Sequence, residues 1–177
     1  VNGSFTIEDF ASFYSEGGFC KIIINGNSVV GTNTIYTGVD DGQVWVVINN
    51  QNLDITFDQA FLTNSVIIGY NNLLNVTNST FSASGLYGLN GNYDIRNTEF
   101  RNSFVDVFNA DDDHRYLNIL DHCEFSGVQG ASAISITNYP NFKIEDCTIF
   151  GGSQGIYIYN SGFVYYSPFF RPRNYFS

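Results

Sequence analysis

The sequence predicts an all-β solenoid, about seven short coils stacked in parallel. Three observations carry this. A unit of short alternating strands recurs from Phe5 to Asn160, and its repeats end on asparagine. The composition favours strands and tight turns: 17 Phe, 12 Tyr and 17 Gly, no Met, and 14% charged residues. Finally, the spacing of apolar residues shows no amphipathic helical period.

The first strand of the unit reads apolar, polar, apolar. It occurs as Phe5-Thr6-Ile7, Leu53-Asp54-Ile55, Leu74-Asn75-Val76, Tyr93-Asp94-Ile95, Leu117-Asn118-Ile119 and Phe142-Lys143-Ile144. Five or six residues beyond the second apolar position stands a Phe, at 13, 61, 81, 100, 125 and 150. A loop then leads to a second alternating strand, as in Ile134-Ser135-Ile136-Thr137-Asn138 and Ile156-Tyr157-Ile158-Tyr159-Asn160. The closing asparagines fall at 25, 50, 71, 90, 109, 138 and 160, one per turn with insertions at the loops.

Each strand is too short to fold alone. Stacked in register, its backbone groups pair with the coils on either side. Ile55, Val76, Ile95, Ile119 and Ile144 are then expected in one interior column and the phenylalanines in another. Asparagine accepts left-handed backbone angles and bonds along a stack of turns, which suits a corner. Seven layers at ~4.8 Å give a rod of roughly 34 Å, and parallel crossovers are right-handed. Residues 1–162 form this solenoid. The aromatic run 163–177 is expected to begin an eighth strand and then cap the last coil or dock on a neighbour.

The repeat resembles the right-handed parallel β-helix, or pectin-lyase-like, superfamily over about Phe5 to Asn160. The resemblance implies the architecture but no single chemistry, because the superfamily holds polysaccharide lyases, glycoside hydrolases, tailspikes and adhesins. Complete enzymes of this kind have more coils and commonly an N-terminal capping helix. No such helix is legible here, and the His-Gly and Arg-x-Lys elements of the hydrolases are missing.

The sharpest polar cluster is Asp111-Asp112-Asp113-His114-Arg115, in the longest interval between asparagines. Three adjacent carboxylates suit Ca²⁺, which takes oxygen ligands. Asp112, Asp113 and Arg115 are the catalytic candidates under the resemblance, which pairs Ca²⁺ with a base in lyases and uses clustered aspartates as acid and base in hydrolases. The plain alternative is a solvated loop with local charge pairing. A second candidate is the outward face of the first strands: Asp54, Asn75, Asp94, Asn118 and Lys143, beside Thr56, Thr77, Arg96, Leu120 and Glu145. The third is the outward face of the second strands, where alternation exposes Tyr70, Tyr87, Leu89, Phe108, Tyr157 and Tyr159. An aromatic stripe on a flat sheet stacks sugar rings or meets protein.

Three cysteines are too few for a disulfide framework. Cys123 and Cys147 occupy equivalent places in adjacent coils, as a disulfide or a buried stack, and His122 reads as a turn residue. Sequons begin at Asn2, Asn75 and Asn78. The net charge of −10 excludes a nucleic-acid partner, and no apolar run reaches the ~20 residues of a membrane span. With no initiator Met and a coil starting near Val1, the chain is expected to be a mature product or part of something longer.

These readings converge on a non-enzymatic segment of a secreted or cell-surface protein, a rigid spacer with an adhesive surface for carbohydrate or protein. The rivals are a polysaccharide lyase or glycoside hydrolase, and a subunit of a larger extracellular assembly with end-to-end or lateral contacts.

Overall fold

The computed structural model describes residues 5–25, 28–49, 54–70, 73–109, 118–128, 132–139, 141–150, 154–161 and 164–166. Among them every regular element is a strand. Leu53, Leu117, Asn50, Asn71, the 111–115 cluster and the tail beyond Tyr166 lie outside the described residues.

Three parallel sheets run the length of the stack. The first sheet contains β7 (Asp54–Asp58), β10 (Leu73–Thr77), β13 (Asn92–Arg96), β16 (Asn118–Asp121), β19 (Phe142–Glu145) and β22 (Val164–Tyr166). The second contains β2 (Ser12–Glu16), β5 (Ile35–Val39), β8 (Phe61–Thr63), β11 (Thr80–Ser82), β14 (Glu99–Arg101), β17 (Glu124–Ser126) and β20 (Thr148–Phe150). The third contains β3 (Phe19–Ile24), β6 (Gln43–Ile48), β9 (Ser65–Tyr70), β12 (Gly85–Leu89), β15 (Phe104–Phe108), β18 (Ser132–Thr137) and β21 (Gln154–Tyr159). A separate pair, β1 (Phe5–Ile7) and β4 (Ser28–Val30), lies towards the chain's start. Seven layers in the second and third sheets make a solenoid of about 6 turns.

The repeat therefore has three strands, not two. The phenylalanine lies in a short strand of its own, and the register corrects which residues point inward. In the first sheet the inward column is Phe57–Val76–Ile95–Leu120–Ile144. Ile55 is buried but pairs with Leu74, one alternation earlier. Ile119 is displaced outward by Leu120, which is fully buried. In the second sheet the inward column is Phe13–Tyr36–Leu62–Phe81–Phe100–Phe125–Ile149. Phe61 and Phe150 stand outside it, exposed, because Leu62 and Ile149 take their inward places.

Once corrected, the spacing is constant over the five layers from β7 to β20. Phe57 to Leu62, Val76 to Phe81, Ile95 to Phe100, Leu120 to Phe125 and Ile144 to Ile149 are each five residues. The cause lies in the corner between the two strands. Two residues after each inward position the backbone turns left-handed, at Gln59, Asn78, Asn97, His122 and Asp146. The amide there bonds the next layer, as in Asn78 N to Arg96 O at 3.1 Å and Asn97 N to Asp121 O at 3.0 Å. A second left-handed corner follows at Asn64, Ala83, Asn102 and Gly127. Of the expected closing asparagines, Asn90, Asn138 and Asn160 are left-handed as well. The Asn138 amide donates to Asn109 O at 3.0 Å and the Asn160 amide to Asn138 Oδ1 at 2.9 Å, a ladder along the stack.

Small side chains fill the space just inside these corners. Thr34, Ala60, Ser79, Thr98, Cys123 and Cys147 are buried after the first, and Ser65, Ser84 and Ser103 after the second. The serine hydroxyls satisfy backbone groups that would otherwise be stranded. Ser84 Oγ accepts from Ser65 N at 3.1 Å and donates to Ser82 O at 2.8 Å. Ser103 Oγ repeats this with Ser84 N and Arg101 O. Cys123 and Cys147 are buried free thiols, each donating to a carbonyl two residues back.

Aromatic stacking runs along the second inward column. Phe81 and Phe100 stack at 4.8 Å, Phe100 and Phe125 at 4.6 Å with planes 4° apart. Replacing Phe100 by Ala should cost about 3–5 kcal/mol from the lost burial and the cavity. Phe61→Ala, on the outer face, should stay within about 0.5 kcal/mol. Urea denaturation of the two variants checks the assignment, and equal losses would contradict this register.

Candidate functional site

Three outer surfaces entered as candidates. The Asp111, Asp112, Asp113, His114 and Arg115 cluster, with its Ca²⁺ and catalytic readings, lies outside the described residues.

The outer face of the first sheet is described, and its composition differs from the expected one. Asn118 is not outward. It is fully buried, with Oδ1 accepting Tyr93 N at 2.8 Å and Nδ2 donating to Asn141 O at 3.2 Å. Leu120 is buried too, so the outward columns are Thr56–Asn75–Asp94–Ile119–Lys143 and Asp58–Thr77–Arg96–Asp121–Glu145. Asp54 begins β7. The charges on this face neutralise one another. Arg96 pairs with Asp94 at 2.6 Å and reaches Asp121 at 3.7 Å, while Lys143 pairs with Glu145. Asp58 accepts from the Thr77 hydroxyl at 2.7 Å and the Asn78 amide at 2.8 Å. These two bonds hold its carboxyl below the usual carboxylate range. The Arg96–Asp94 and Lys143–Glu145 pairs lie within single strands and the Arg96–Asp121 contact joins two layers, so that these charges are directed at one another rather than at a ligand.

The outer face of the third sheet differs. Its outward columns are Lys21–Trp45–Val66–Gly85–Phe104, then Ile23–Val47–Ile68–Tyr87–Asp106–Ser135–Tyr157, then Tyr70–Leu89–Phe108–Thr137–Tyr159. Tyr87 is 40% exposed, Phe108 41%, Tyr157 46% and Tyr159 59%, while Tyr70 is half-buried. Tyr70, Tyr87 and Phe108 lie together along an open groove of about 680 Å³. Trp45, Gln43, Phe104 and Asp106 also line it. Tyr157 and Tyr159 sit apart, on β21, across the Ser135 and Thr137 layer.

Two features shape the groove. Gly85 has no side chain where its neighbours in the column have large ones. The Phe104 ring lies over it, so that a Cβ there would stand 2.6 Å from Cζ. Phe104 then meets Tyr87 edge to face at 5.0 Å. At the other wall the Trp45 indole N–H donates to Gln43 Oε1 at 2.9 Å, and Phe19 meets Trp45 edge to face at 5.6 Å. Asp106 supplies a carboxylate within an otherwise apolar lining, and burial followed by its charge raises the Tyr87 phenol above its ordinary value. The arrangement offers aromatic faces with a few polar atoms beside them. Among its described lining residues no nucleophile–base pair is assembled. His122, at its left-handed corner, is exposed, whereas the next side chain, Cys123, is buried, so the two do not form a catalytic pair.

Trp45, Phe104 and Asp106 were missed by sequence reading. Their outward position follows from the alternation that exposes the tyrosines, had the strands been extended backwards and every outward position counted.

Comparison with known proteins agrees with the coils. Residues 84–167 match the family model described as right handed beta helix region. No curated protein and no solved structure matches the chain. The match spans a little under half of the chain and agrees with the stacked parallel sheets, a β-solenoid whose architecture is consistent with the pectin-lyase-like superfamily. Among the described residues no helix is long and apolar enough to cross a membrane.

Asp58 provides a pH test of the first face. Its folded carboxyl titrates below the unfolded value of about 3.9, so its stabilising effect is present above that value and is lost as pH falls through the folded one. The urea midpoint of the wild type should exceed that of Asp58→Asn at pH 6, and the gap should narrow as the pH falls below the unfolded value and through the folded one. A gap that persists unchanged into acid would show that ionisation of Asp58 is not its source.

Proposed function

We propose that this protein is a non-enzymatic carbohydrate-binding β-helix of a secreted or cell-surface molecule, with the third sheet as its adhesive face. The carrying observation is the aromatic groove of Trp45, Tyr70, Tyr87, Phe104 and Phe108 on a sheet held rigid by in-register pairing. A pyranose ring presents C–H groups on its faces and hydroxyls round its edge. Aromatic faces take the former, and Gln43 and Asp106 offer partners to the latter. The volume of about 680 Å³ falls in the range of small-ligand sites and admits a few sugar residues. A carboxylate in the lining, with a net charge of −10, favours neutral over acidic glycans. Tyr157 and Tyr159 extend the aromatic surface along the same columns and suit a polymer longer than the groove.

Titration calorimetry against neutral and uronic-acid polysaccharides tests this. Binding to a neutral glycan is expected without release of reducing ends or unsaturated products. Tyr87→Ala and Phe108→Ala should each weaken it about tenfold, the equivalent of ~1.4 kcal/mol. Product release would replace this reading with the enzyme one. Failure to bind any glycan, or binding indifferent to both substitutions, would leave the groove without a sugar.

A further inference from the structure

On the opposite side of the solenoid from this groove, one corner brings together an imidazole and two carboxylates from successive layers. Asp121 ends β16, His122 is the left-handed corner residue that follows it, and Asp146 is the corresponding corner residue one layer on. One ligand atom from each lies within 4.8 Å of the others. The register makes this placement. His122 N bonds Glu145 O at 3.1 Å, fixing the corner of one layer against the strand that leads into the corner of the next.

We infer that this corner is a binding site for a divalent transition metal ion of the zinc class. His122 Nε2 and Asp146 Oδ2 are the ligands and Asp121 is the positioning residue. Asp121 Oδ1 lies 2.6 Å from His122 Nδ1. In the neutral ring Nδ1 donates that bond, so the proton is held there and the lone pair remains on Nε2. Asp121 is itself fixed from the other side, since its Oδ2 faces Arg96 at 3.7 Å, and its side chain is only 17% exposed. This carboxylate–histidine order is the one that fixes the tautomer and orients imidazole towards a metal. His122 Nε2 stands 3.7 Å from Asp146 Oδ2. Two ligands bound at 2.0–2.1 Å to one tetrahedral ion stand roughly 3.4 Å apart, so a small side-chain turn closes the pair on an ion. One nitrogen and one carboxylate favour zinc, nickel or copper over calcium, which requires six or more oxygens. The remaining coordination positions face solvent, because His122 is 59% exposed, and they admit water or a donor from another molecule.

The test is zinc titration of the full chain, followed by calorimetry, with cobalt absorption as a second readout. Wild type should bind one equivalent that His122→Ala and Asp146→Asn each remove. Asp121→Asn should retain the equivalent with an affinity about tenfold lower, the usual effect of altering an orienting group. His114→Ala changes the chain's other histidine and should leave the equivalent in place. Calcium should not compete. Circular dichroism separates lost ligation from lost folding, and the exposed His122 ring makes a folded His122→Ala variant the expected case. Absence of saturable zinc binding, an equivalent that survives His122→Ala, or one that His114→Ala removes would overturn the assignment.

Discussion

Everything in this molecule depends on parallel pairing in register between one layer and the next. Neighbouring strands lie ~4.8 Å apart, so a residue's principal neighbours are its own equivalents in the layers on either side. A column must therefore be compatible with itself. Inside the second sheet that condition selects aromatic on aromatic, with Phe81, Phe100 and Phe125 stacking where side chains of different size would leave voids. Inside the corners it selects small residues whose hydroxyl or thiol bonds the adjacent backbone. Outside, like charges in register repel, and where Asp121 pairs with Glu145 the preceding Arg96, beside Asp94 and 3.7 Å from Asp121, offsets part of that repulsion.

The same constraint sets the spacing of the repeat. A chain that must return to register can vary its length only where it leaves the stack. The short arc from the first sheet to the second does not leave it. From β7 onward it holds a left-handed corner, a small buried residue and the next strand in a fixed five-residue step. Hydrogen bonds from the Gln59, Asn78, Asn97 and His122 amides to the layer beyond keep the arc in place. Insertions fall elsewhere, and the irregular intervals between the closing asparagines record them.

This division explains what was legible. Recurrence, alternation and asparagine corners are properties of the chain itself, so the all-β stack and the outward tyrosines could be read directly. Local register was harder. Leu117-Asn118-Ile119-Leu120 satisfies an alternating pattern in two ways, one with Ile119 inward and one with Leu120. What decides is the left-handed corner two residues after Leu120, at His122, which is legible as a turn residue but does not by itself set the parity of the strand before it. Phe61-Leu62 and Ile149-Phe150 posed the same choice, and side-chain size pointed the wrong way. The short strand and its neighbouring corners, rather than hydrophobicity alone, determine which member of each pair is buried. The candidate groove was half legible. Parity gave Tyr70, Tyr87 and Phe108, whereas its shape depends on the Phe104 ring lying over Gly85, a relation between layers that no single strand encodes.

The core beneath the groove carries the argument one step further. Gly88 points inward from the groove strand, and the space its missing side chain leaves is filled by the Tyr93 ring, 2.2 Å from where a Cβ would stand. Tyr93 packs edge to face on Tyr139 at 6.0 Å, and the Tyr139 hydroxyl donates to Gly91 O at 3.2 Å. Tyr139 meets Phe142 in turn, also at 6.0 Å. β12 is therefore supported from below by a ring at a position flanked in the adjacent layers by Gly69 and Val107. A glycine on the outer face lets Phe104 lie flat, and a glycine on the inner face lets Tyr93 rise to meet the backbone. A strand held between two aromatic layers has little freedom to move. A flat sheet of exposed tyrosines becomes a preformed site only when its backbone is fixed in this way, because rings already held in place lose little entropy on meeting a ligand.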